Sequence, residues 1–400
     1  KALEKDRNDR GAVLGLARVL IEQRNDGPAT KLLEQLRADD PADYLARYIL
    51  TGVHLRNGRL DLGEQVAREA EELQPKSVAT RRLLARLHNA RGRKKQALVL
   101  LSELARELPQ ATDIRFELAK SLLQAGEIDV ARGHVDSLAT LAPGAMQLTV
   151  LRCVIALIDK DFDTAHQLAD HVMAVDEHRP VGLKLRGDAY FAAGKHADAV
   201  LAYDESMSLA PSRSVLKLSV QAERASGESQ RGKFWLSKWL LEHPDDTEVR
   251  LWRGMVLEAE GKVDDARAEY RRVLERDKNN LGALNNLAWL TGANDPDAGL
   301  VLAQRALQVA PDNPTVLDTY GWLLLKIGQG ERGLSYLTRA ADGSPDNHDI
   351  RYHLARALFQ VGRVDEARIA IERVGPNRDA LKDRAGFDAL VSKLNASGRS

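Results

Sequence analysis

The stretch from Pro180 to Arg213, PVGLKLRGDAYFAAGKHADAVLAYDESMSLAPSR, decides the fold. Its pattern predicts two short amphipathic helices. Gly194 ends the first helix, because glycine readily adopts the left-handed cap, and Pro211 closes the stretch, because proline cannot continue a helix. Gly187 in the first helix and Ala199 in the second are small, so we expect the two helix axes to approach closely at these residues.

The same pattern recurs along the chain with a period of 34 residues, shortened twice by one residue. The eleven repeats start at or near Arg10, Tyr44, Val78, Thr112, Met146, Pro180, Arg213, Thr247, Leu281, Pro314 and His348. The residue that opens the second helix is small in every repeat: Ala29, Gly63, Ala97, Ala131, Ala165, Ala199, Gly232, Ala266, Gly299, Gly333 and Ala367. Chance does not produce this regularity. The sequence therefore predicts a repeat protein that is stabilised by stacking of neighbouring repeats.

Three more positions recur with the same spacing. The partner position in the first helix is mostly small: Ala17, Thr51, Ala85, Ala119, Cys153, Gly187, Val220, Gly254, Ala288, Gly321 and Ala355. Left-handed caps are predicted at Gly58, Gly92, Gly126, Gly194, Gly227, Gly261, Gly328 and Gly362. The second helices are closed by Pro41, Pro75, Pro109, Pro143, Pro211, Pro244, Pro311 and Pro345.

This spacing resembles the tetratricopeptide repeat, whose signature is W-x2-L-G-x2-Y, then A-x3-F, then P. The quoted repeat matches it at Gly187, Tyr190, Ala199, Tyr203 and Pro211, and departs from it at Leu183 and Arg186. The resemblance implies an all-α fold, a right-handed superhelical α-solenoid of about eleven helix-turn-helix repeats over residues 10–381. Residues 1–9 are interpreted as the tail of a preceding repeat, which makes the chain a fragment.

The carboxyl-terminal end departs from the repeat. Gly375 to Asn377 should break the helix, and Phe387, Leu390, Val391 and Leu394 indicate a final amphipathic helix. We expect residues 382–400 to form a capping helix over the apolar end of the stack, with a disordered tail from Asn395. Within the chain, Asn294–Asp295–Pro296 replaces the usual glycine turn, and either Asn294 or Asp295 is expected to cap the following helix.

Composition excludes several classes of function. Lys plus Arg and Asp plus Glu both number 58, so the net charge is zero, which argues against a general nucleic-acid binder. Cys153 is the only cysteine, so neither an intrachain disulfide nor a thiol-rich metal site can form. No apolar run is long enough to span a membrane, and the chain does not begin with a signal-like segment.

Catalytic signatures are not found. The ten histidines include no HExxH pair, and we interpret them as solvent-facing. Cys153 occupies a small-residue position and is interpreted as a buried spacer rather than a nucleophile. No GxSxG, Walker or GxGxxG motif lies in a strand-turn-helix context. We therefore expect no enzymatic activity, no cofactor and no metal.

Binding is expected on the face of the first helices, because in tetratricopeptide folds positions two, five, nine and twelve of each repeat line a concave groove. In the first part of the chain these positions form a mildly basic stripe, with Arg18 and Arg56 beside the candidate binding residues Arg82, Arg86, Asn89, Lys120, Lys184 and Lys217. Such a stripe is suited to an acidic peptide or an anionic polymer. Ordinary solvated helix faces would show the same composition.

The later groove is aromatic and amide-rich. Its candidate binding residues are Asn285, Asn286, Trp289, Asp318, Trp322, Tyr352 and Arg356, with His353 and Phe359 beside them. Aromatic anchors flanked by directional polar groups are typical of binding surfaces. The two tryptophans have a second interpretation, in which they fill gaps between adjacent first helices.

A more particular resemblance lies in the last third, in ALNNLAWL, in LAQRALQVAPDNPTVLDTYGWLLLKIGQGERGLSYLTRAADGSPDN and in IRYHLARALFQVGRVDEARIAIE. These runs resemble the tetratricopeptide lipoprotein encoded with exosortase/PEP-CTERM exopolysaccharide clusters. The resemblance implies a periplasmic scaffold, anchored in the outer membrane, that binds partner proteins during polysaccharide assembly or export; a cytoplasmic location is the alternative. Two other functions stay open: direct binding of an anionic polysaccharide, and a regulatory region of a larger enzyme or regulator.

Overall fold

A computed structural model describes residues 9–227, 230–375, 378, 381 and 383–396, and in these residues the chain forms 23 α-helices and no strand. The helices are α1 Arg10–Glu22, α2 Asp26–Asp39, α3 Tyr44–Arg56, α4 Leu60–Leu73, α5 Val78–Ala90, α6 Lys94–Glu107, α7 Thr112–Ala125, α8 Ile128–Leu141, α9 Met146–Ile158, α10 Phe162–Met173, α11 Arg179–Ala192, α12 His196–Leu209, α13 Arg213–Ser226, α14 Gln230–Glu242, α15 Thr247–Ala259, α16 Val263–Arg276, α17 Leu281–Gly292, α18 Pro296–Val309, α19 Pro314–Lys326, α20 Gly330–Gly343, α21 His348–Gln360, α22 Val364–Val374 and α23 Arg384–Ala396.

The chain divides into two compact units, Lys1–Pro211 and Ser212–Ser400. From α1 to α22 each unit is a row of helix pairs, in which odd-numbered helices are the first helices of a repeat and even-numbered helices the second. The first helix of each repeat begins at the residue expected from the period, except that α11 begins at Arg179, one residue early. The all-α repeat fold predicted from the sequence is confirmed in the described residues. Residues 1–8 of the expected tail of a preceding repeat, residues 1–9, lie outside them, and Asp9 caps α1.

The turns inside the repeats use the predicted backbone conformation. All eight glycines expected to cap a first helix have a positive φ, between 69° and 86°. In two other repeats the left-handed residue is not glycine but Arg24, with φ 57°, and Lys160, with φ 61°. In the repeat that lacks a glycine turn, Asp295 caps α18 by accepting a hydrogen bond from the amide of Ala298 at 3.0 Å.

The small residues lie where the two helices of a repeat touch, as predicted. The seven alanines that open second helices are fully buried. At Gly299 a Cβ atom would come within 2.6 Å of the Gly292 Cα, and at Gly333 within 2.7 Å of the Gly321 carbonyl oxygen. Because these neighbours are backbone atoms, a larger side chain would push the helices apart.

The repeat that contains Val220 is built differently. Val220 is only half-buried, whereas the small residues at the same position in other repeats are buried. One turn later, Glu223 is buried and its Oε1 accepts a hydrogen bond of 2.6 Å from the Gly232 amide. A carboxylate thus joins α13 to α14 where other repeats use apolar contact.

One recurrent side chain was not singled out in the sequence. Arginine is the fourth residue of five first helices: Arg47, Arg81, Arg115, Arg250 and Arg351. In three repeats this arginine donates to the carbonyl oxygen of the preceding closing proline: Arg115 to Pro109 at 2.9 Å, Arg250 to Pro244 at 2.7 Å, and Arg351 to Pro345 at 2.6 Å. These bonds tie a first helix to the turn before it.

The closing turn before α11 has no proline. Glu177 stands at the expected site, and Asp176–His178 form a short 3-10 helix that leads directly into α11. There Gly182 lies so close to α10 that a Cβ atom would be 2.8 Å from both the Ala169 carbonyl oxygen and the Met173 nitrogen. The compact turn brings α10 and α11 into unusually close contact.

The last helix packs on the final repeat. Phe387, Leu390 and Leu394 of α23 are buried, and Val391 packs beside them against the buried core of α21 and α22. α23 extends to Ala396, so Asn395, expected to start a disordered tail, is helical. Residues 397–400, together with Pro376 and Asn377 of the expected helix break, lie outside the described residues. Among the helices described, none is both long and apolar enough to cross a membrane.

Candidate binding groove

In both compact units, first helices of neighbouring repeats contact one another. In the first unit α3 contacts α5, and α9 contacts both α7 and α11; in the second unit α19 contacts both α17 and α21. Side chains from successive first helices therefore meet on one face. We call this face the first groove in the unit that ends at Pro211 and the second groove in the unit that begins at Ser212.

The arginines of the first groove are engaged by acids on the next first helix. Arg82 donates to Asp113 at 2.5 Å and to Glu117 at 2.6 Å, and Arg86 also donates to Glu117. Burial of the Glu117 carboxyl acts to raise its pKa, but the bonds from Arg82 and Arg86 outweigh burial and hold the pKa below its usual range. The predicted basic stripe is thus locally neutralised.

Other polar residues of the first groove are also paired. Asn89 donates to the Ser121 hydroxyl at 2.8 Å, and Lys184 forms an ion pair of 2.5 Å with Asp188, one turn along α11. Lys120 is exposed and has no ion-pair partner in the described part of the chain. Direct Coulomb attraction for an anionic polymer is therefore weaker here than the count of basic residues implies.

Two tyrosines reach the groove from second helices. A Cβ atom at Gly187 would lie 2.5 Å from the ring of Tyr203, so the absent side chain makes room for the ring. The Tyr203 hydroxyl then donates to Asp188 at 2.9 Å. Burial, followed by the charge of Asp188, raises the pKa of Tyr203 far above its usual value, so the hydroxyl stays protonated and remains a donor.

The same arrangement occurs once in the second unit. The ring of Tyr270 lies 2.5 Å from a Cβ atom built at Gly254, and its hydroxyl donates to Glu258 at 2.8 Å and accepts from Asn286 at 3.3 Å. Sequence reasoning missed both tyrosines as groove residues. The available signal is a glycine in the first helix combined with a tyrosine four residues after the small residue of the second.

The second groove holds a cluster of rings. Trp289 of α17, Trp322 of α19 and His353 of α21 lie on three successive first helices. The ring centroids of Trp289 and Trp322 are 6.2 Å apart, and the His353 ring is 4.3 Å from Trp322 and 5.5 Å from Trp289. Trp322 is buried and Trp289 is half-buried. Both tryptophans therefore pack between first helices, and Trp289 also retains a surface. We call these three rings with Tyr352 the aromatic cluster.

Charged groups border the aromatic cluster. The Nδ1 atom of His353 lies 2.8 Å from one carboxylate oxygen of Asp318 and 3.0 Å from the other, and both residues are buried. Arg356 lies over Trp322, with its Cζ atom 4.7 Å from the ring centroid, and donates to the Tyr352 hydroxyl at 3.2 Å. Tyr352 in turn donates to Asp383 at 3.0 Å.

One amide in the second groove lacks a partner. Asn285 is 9% exposed, and neither amide atom of its side chain has a hydrogen-bond partner in the described residues. Asp318 occupies the equivalent position on the next first helix, where His353 supplies its partner. The residue that corresponds to His353 for Asn285 is the short Thr319. Lys217 lies on α13, at the start of this unit, where it is exposed and its Nζ atom lies 5.9 Å from the Trp252 ring centroid.

The histidines and the cysteine were predicted with mixed success. The expectation of solvent-facing histidines is wrong for His54, His88 and His353, which are buried on the faces of first helices that pack against neighbours. Cys153 is fully buried as expected, and burial raises the pKa of its thiol to about 11, so it is a poor nucleophile. In the described ranges no group of three His, Cys, Asp or Glu side chains has the geometry to hold a metal ion.

The fold and the grooves define a class: an α-helical repeat protein whose first helices present a binding face. Tetratricopeptide repeat models match residues 14–78, 82–145, 236–280 and 328–394, which together are more than half of the chain. The chain belongs to the tetratricopeptide repeat family.

Among the proteins that are similar to parts of this chain are two curated proteins and one solved structure. The chain is 27% identical over 202 residues to TPR repeat-containing protein PA4667 of Pseudomonas aeruginosa, covering 48% of this chain and 34% of that protein. It is 29% identical over 147 residues to human RNA polymerase II-associated protein 3, covering 34% of this chain and 22% of that protein. The alignments thus span no more than about a third of either relative.

The solved structure is that of a tetratricopeptide repeat protein from Parabacteroides merdae. It matches with a TM-score of 0.50 at 15% identity and covers 62% of this chain and 98% of that one. At this identity the likeness shows the fold alone. The finer resemblance to exopolysaccharide-cluster lipoproteins stays a prediction.

Proposed function

We propose that this protein is a non-catalytic scaffold that binds an extended peptide segment of a partner protein in its second groove. The observation that carries the proposal is the aromatic cluster beside an unpartnered amide. Trp289 is half-buried, the Arg356 side chain is 42% exposed, and Asn285 has no hydrogen-bond partner in the described residues. A partly accessible tryptophan next to directional polar groups is what interface hot spots use.

The wider setting of the proposal rests on the sequence resemblance in the last third of the chain. From it we propose that the scaffold acts in bacterial exopolysaccharide assembly or export, in the periplasm and with an outer-membrane anchor. The full-length sequence and its gene neighbourhood test this setting. A lipobox and neighbouring polysaccharide genes would support it, whereas a fused catalytic or DNA-binding domain would replace it with a regulatory role.

Direct binding of an anionic polysaccharide along the first groove is the competing function. It is less favoured, because Arg82 and Arg86 already donate to Asp113 and Glu117, and a polymer would have to displace those carboxylates. Lys120 is an exposed cation of the first groove that no acid pairs with in the described residues, so such a polymer could contact it directly.

The test is selection of a random peptide library on the immobilised chain, followed by calorimetric titration of enriched peptides. We expect binding to weaken strongly in Trp289→Ala and to be unchanged in Phe234→Ala. Phe234 is the matched control, because it is an aromatic residue 59% exposed on the second helix α14. Circular dichroism must first show that both variants fold. Failure to enrich any peptide, or equal loss in both variants, would reject the groove as the binding site.

Alginate titrated in parallel tests the competing function. Binding of the polymer by wild type, lost in Lys120→Ala and retained in Trp289→Ala, would establish the first groove as a polysaccharide site. Absence of alginate binding together with peptide binding leaves the scaffold as proposed.

A further inference from the structure

We infer that the second groove selects partner segments in which an acidic residue lies next to an apolar one, with the carboxylate on Arg356 and the apolar side chain against Trp289. This inference rests on the proposed function, since it names the chemistry of the peptide that the groove binds. It concerns Arg356, which lies over Trp322, and the partly accessible ring of Trp289 beside them.

The guanidinium of Arg356 is held in place by neighbouring rings, while its Nε and Nη2 atoms have no hydrogen-bond partner in the described residues. Its Nη1 atom donates to the Tyr352 hydroxyl, and its Cζ atom lies 4.7 Å from the centroid of the Trp322 ring. Because Nε and Nη2 point in the same direction, these two open atoms form a fork by which arginine binds both oxygens of a carboxylate. Because Trp322 and Tyr352 already order the side chain, binding a carboxylate costs little further conformational entropy.

The neighbouring acids leave the Nε and Nη2 edge of Arg356 without a hydrogen bond. Asp383 forms an ion pair of 3.7 Å with Nη1 of Arg356, which is too long for a hydrogen bond, and its carboxylate accepts from the Tyr352 hydroxyl and the Gly386 amide. Asp318 is held by His353. Arg82 differs, because both of its Nη atoms donate to acids at 2.5 Å and 2.6 Å. Arg356 is thus better placed than Arg82 to bind an incoming carboxylate.

The rings favour a peptide over an acidic sugar. A sugar ring stacks on an open aromatic face, but Trp322 is buried, with Arg356, His353 and Trp289 against it. Trp289 is half-buried and also contacts two rings, which leaves a limited surface that suits an aliphatic or proline side chain. Asn285, four residues before Trp289 on the same helix, has a buried Oδ1 atom without a hydrogen-bond partner in the described residues.

The experiment uses the enriched peptides and changes one acidic residue at a time to its amide. We expect the enriched sequences to share an Asp or Glu adjacent to an apolar residue. Removing that carboxylate should weaken binding to wild type by about tenfold or more, because an arginine–carboxylate pair at an interface is lost. Arg356→Gln should weaken binding of the acidic peptide by a similar factor, and in this variant the peptide's acid-to-amide change should have little further effect.

Arg271→Gln is the matched control, because Arg271 is an exposed arginine on the second helix α16. It should bind the acidic peptide as wild type does. The change on the peptide side needs no folding control, so the inference remains testable if Arg356→Gln does not fold. Enriched peptides that bind through Trp289 but show no acidic preference would overturn this inference and leave the scaffold function intact. Failure to enrich any peptide would overturn both, and binding of oligogalacturonate that requires Arg356 would overturn the choice of a peptide.

Discussion

Replacing Gly182 by alanine should destabilise the first unit, whereas the same change at Gly133 should stabilise it. Both glycines lie inside helices of this unit, α11 and α8. An alanine Cβ at Gly182 would clash with the Met173 Cγ and would lie 2.8 Å from two backbone atoms of α10, whereas nothing lies within 4 Å of the same atom at Gly133. The Met173 side chain can rotate away, but the backbone atoms of α10 can move only if the two helices separate.

The magnitudes follow from two opposing effects. Alanine favours a helix over glycine by about 0.5–1 kcal/mol, and this gain applies at both sites. Overpacking at a close contact costs about 1–3 kcal/mol and applies only at Gly182. We therefore expect Gly133→Ala to stabilise by up to about 1 kcal/mol and Gly182→Ala to destabilise by about 1–2 kcal/mol.

Urea unfolding followed by far-ultraviolet circular dichroism measures the two midpoints. Because repeat stacks can lose cooperativity, hydrogen exchange supplies a local measurement. Amides of α10 and α11 should exchange faster in Gly182→Ala, and those of α8 should not exchange faster in Gly133→Ala. If Gly182→Ala raises the midpoint as much as Gly133→Ala does, the close approach of α10 and α11 is not a constraint and the reasoning fails.

Three further predictions concern single buried groups. Burial lowers the pKa of His54 and His88 in the folded chain, so the same histidines take up protons first in the unfolded chain as the pH falls below about 6.5. The urea midpoint should therefore drop between about pH 7.5 and pH 5. If His54→Gln shows the same drop as wild type, His54 is excluded as its cause. The Cys153 thiol, buried and with its pKa raised to about 11, should react with a disulfide reagent only after denaturation, and rapid reaction of the folded chain would contradict its burial. Tyr203→Phe removes the donor to Asp188 and should lower the free energy of unfolding by about 1–2 kcal/mol; a stability equal to wild type in urea unfolding would show that the bond contributes nothing.

The sequence predicted the repeat fold well, because each recurring residue is required by its own backbone conformation or by packing against the adjacent helix. Gly58 and its seven equivalents cap first helices through their own backbone conformation. Ala97 and its equivalents are buried because each repeat must pack as the next one does. The residues that replace glycine at two turns, Arg24 and Lys160, were not predicted, since those side chains tolerate the left-handed conformation without favouring it.

The groove was predicted only in part. Position within the repeat placed Arg82, Trp289 and Arg356 on first helices, and the structure places them there. Position within the repeat did not reveal that acids would pair with Arg82 while Arg356 keeps two nitrogen atoms without a hydrogen bond, since both residues are arginines at groove positions. That difference depends on Asp113 and Glu117 one repeat later in one case and on Tyr352 and Trp322 in the other.

The amino-acid sequence by itself determined the period, the caps, the close helix approaches and therefore the helical-repeat family. These properties repeat every 34 residues and depend on backbone conformation and side-chain size. Tertiary structure alone decided which charged side chains form ion pairs, which rings are buried and which amide lacks a partner. These properties depend on pairs such as Asp318 and His353 that lie 35 residues apart. Their energies are set by distance and burial, which the residue types do not specify.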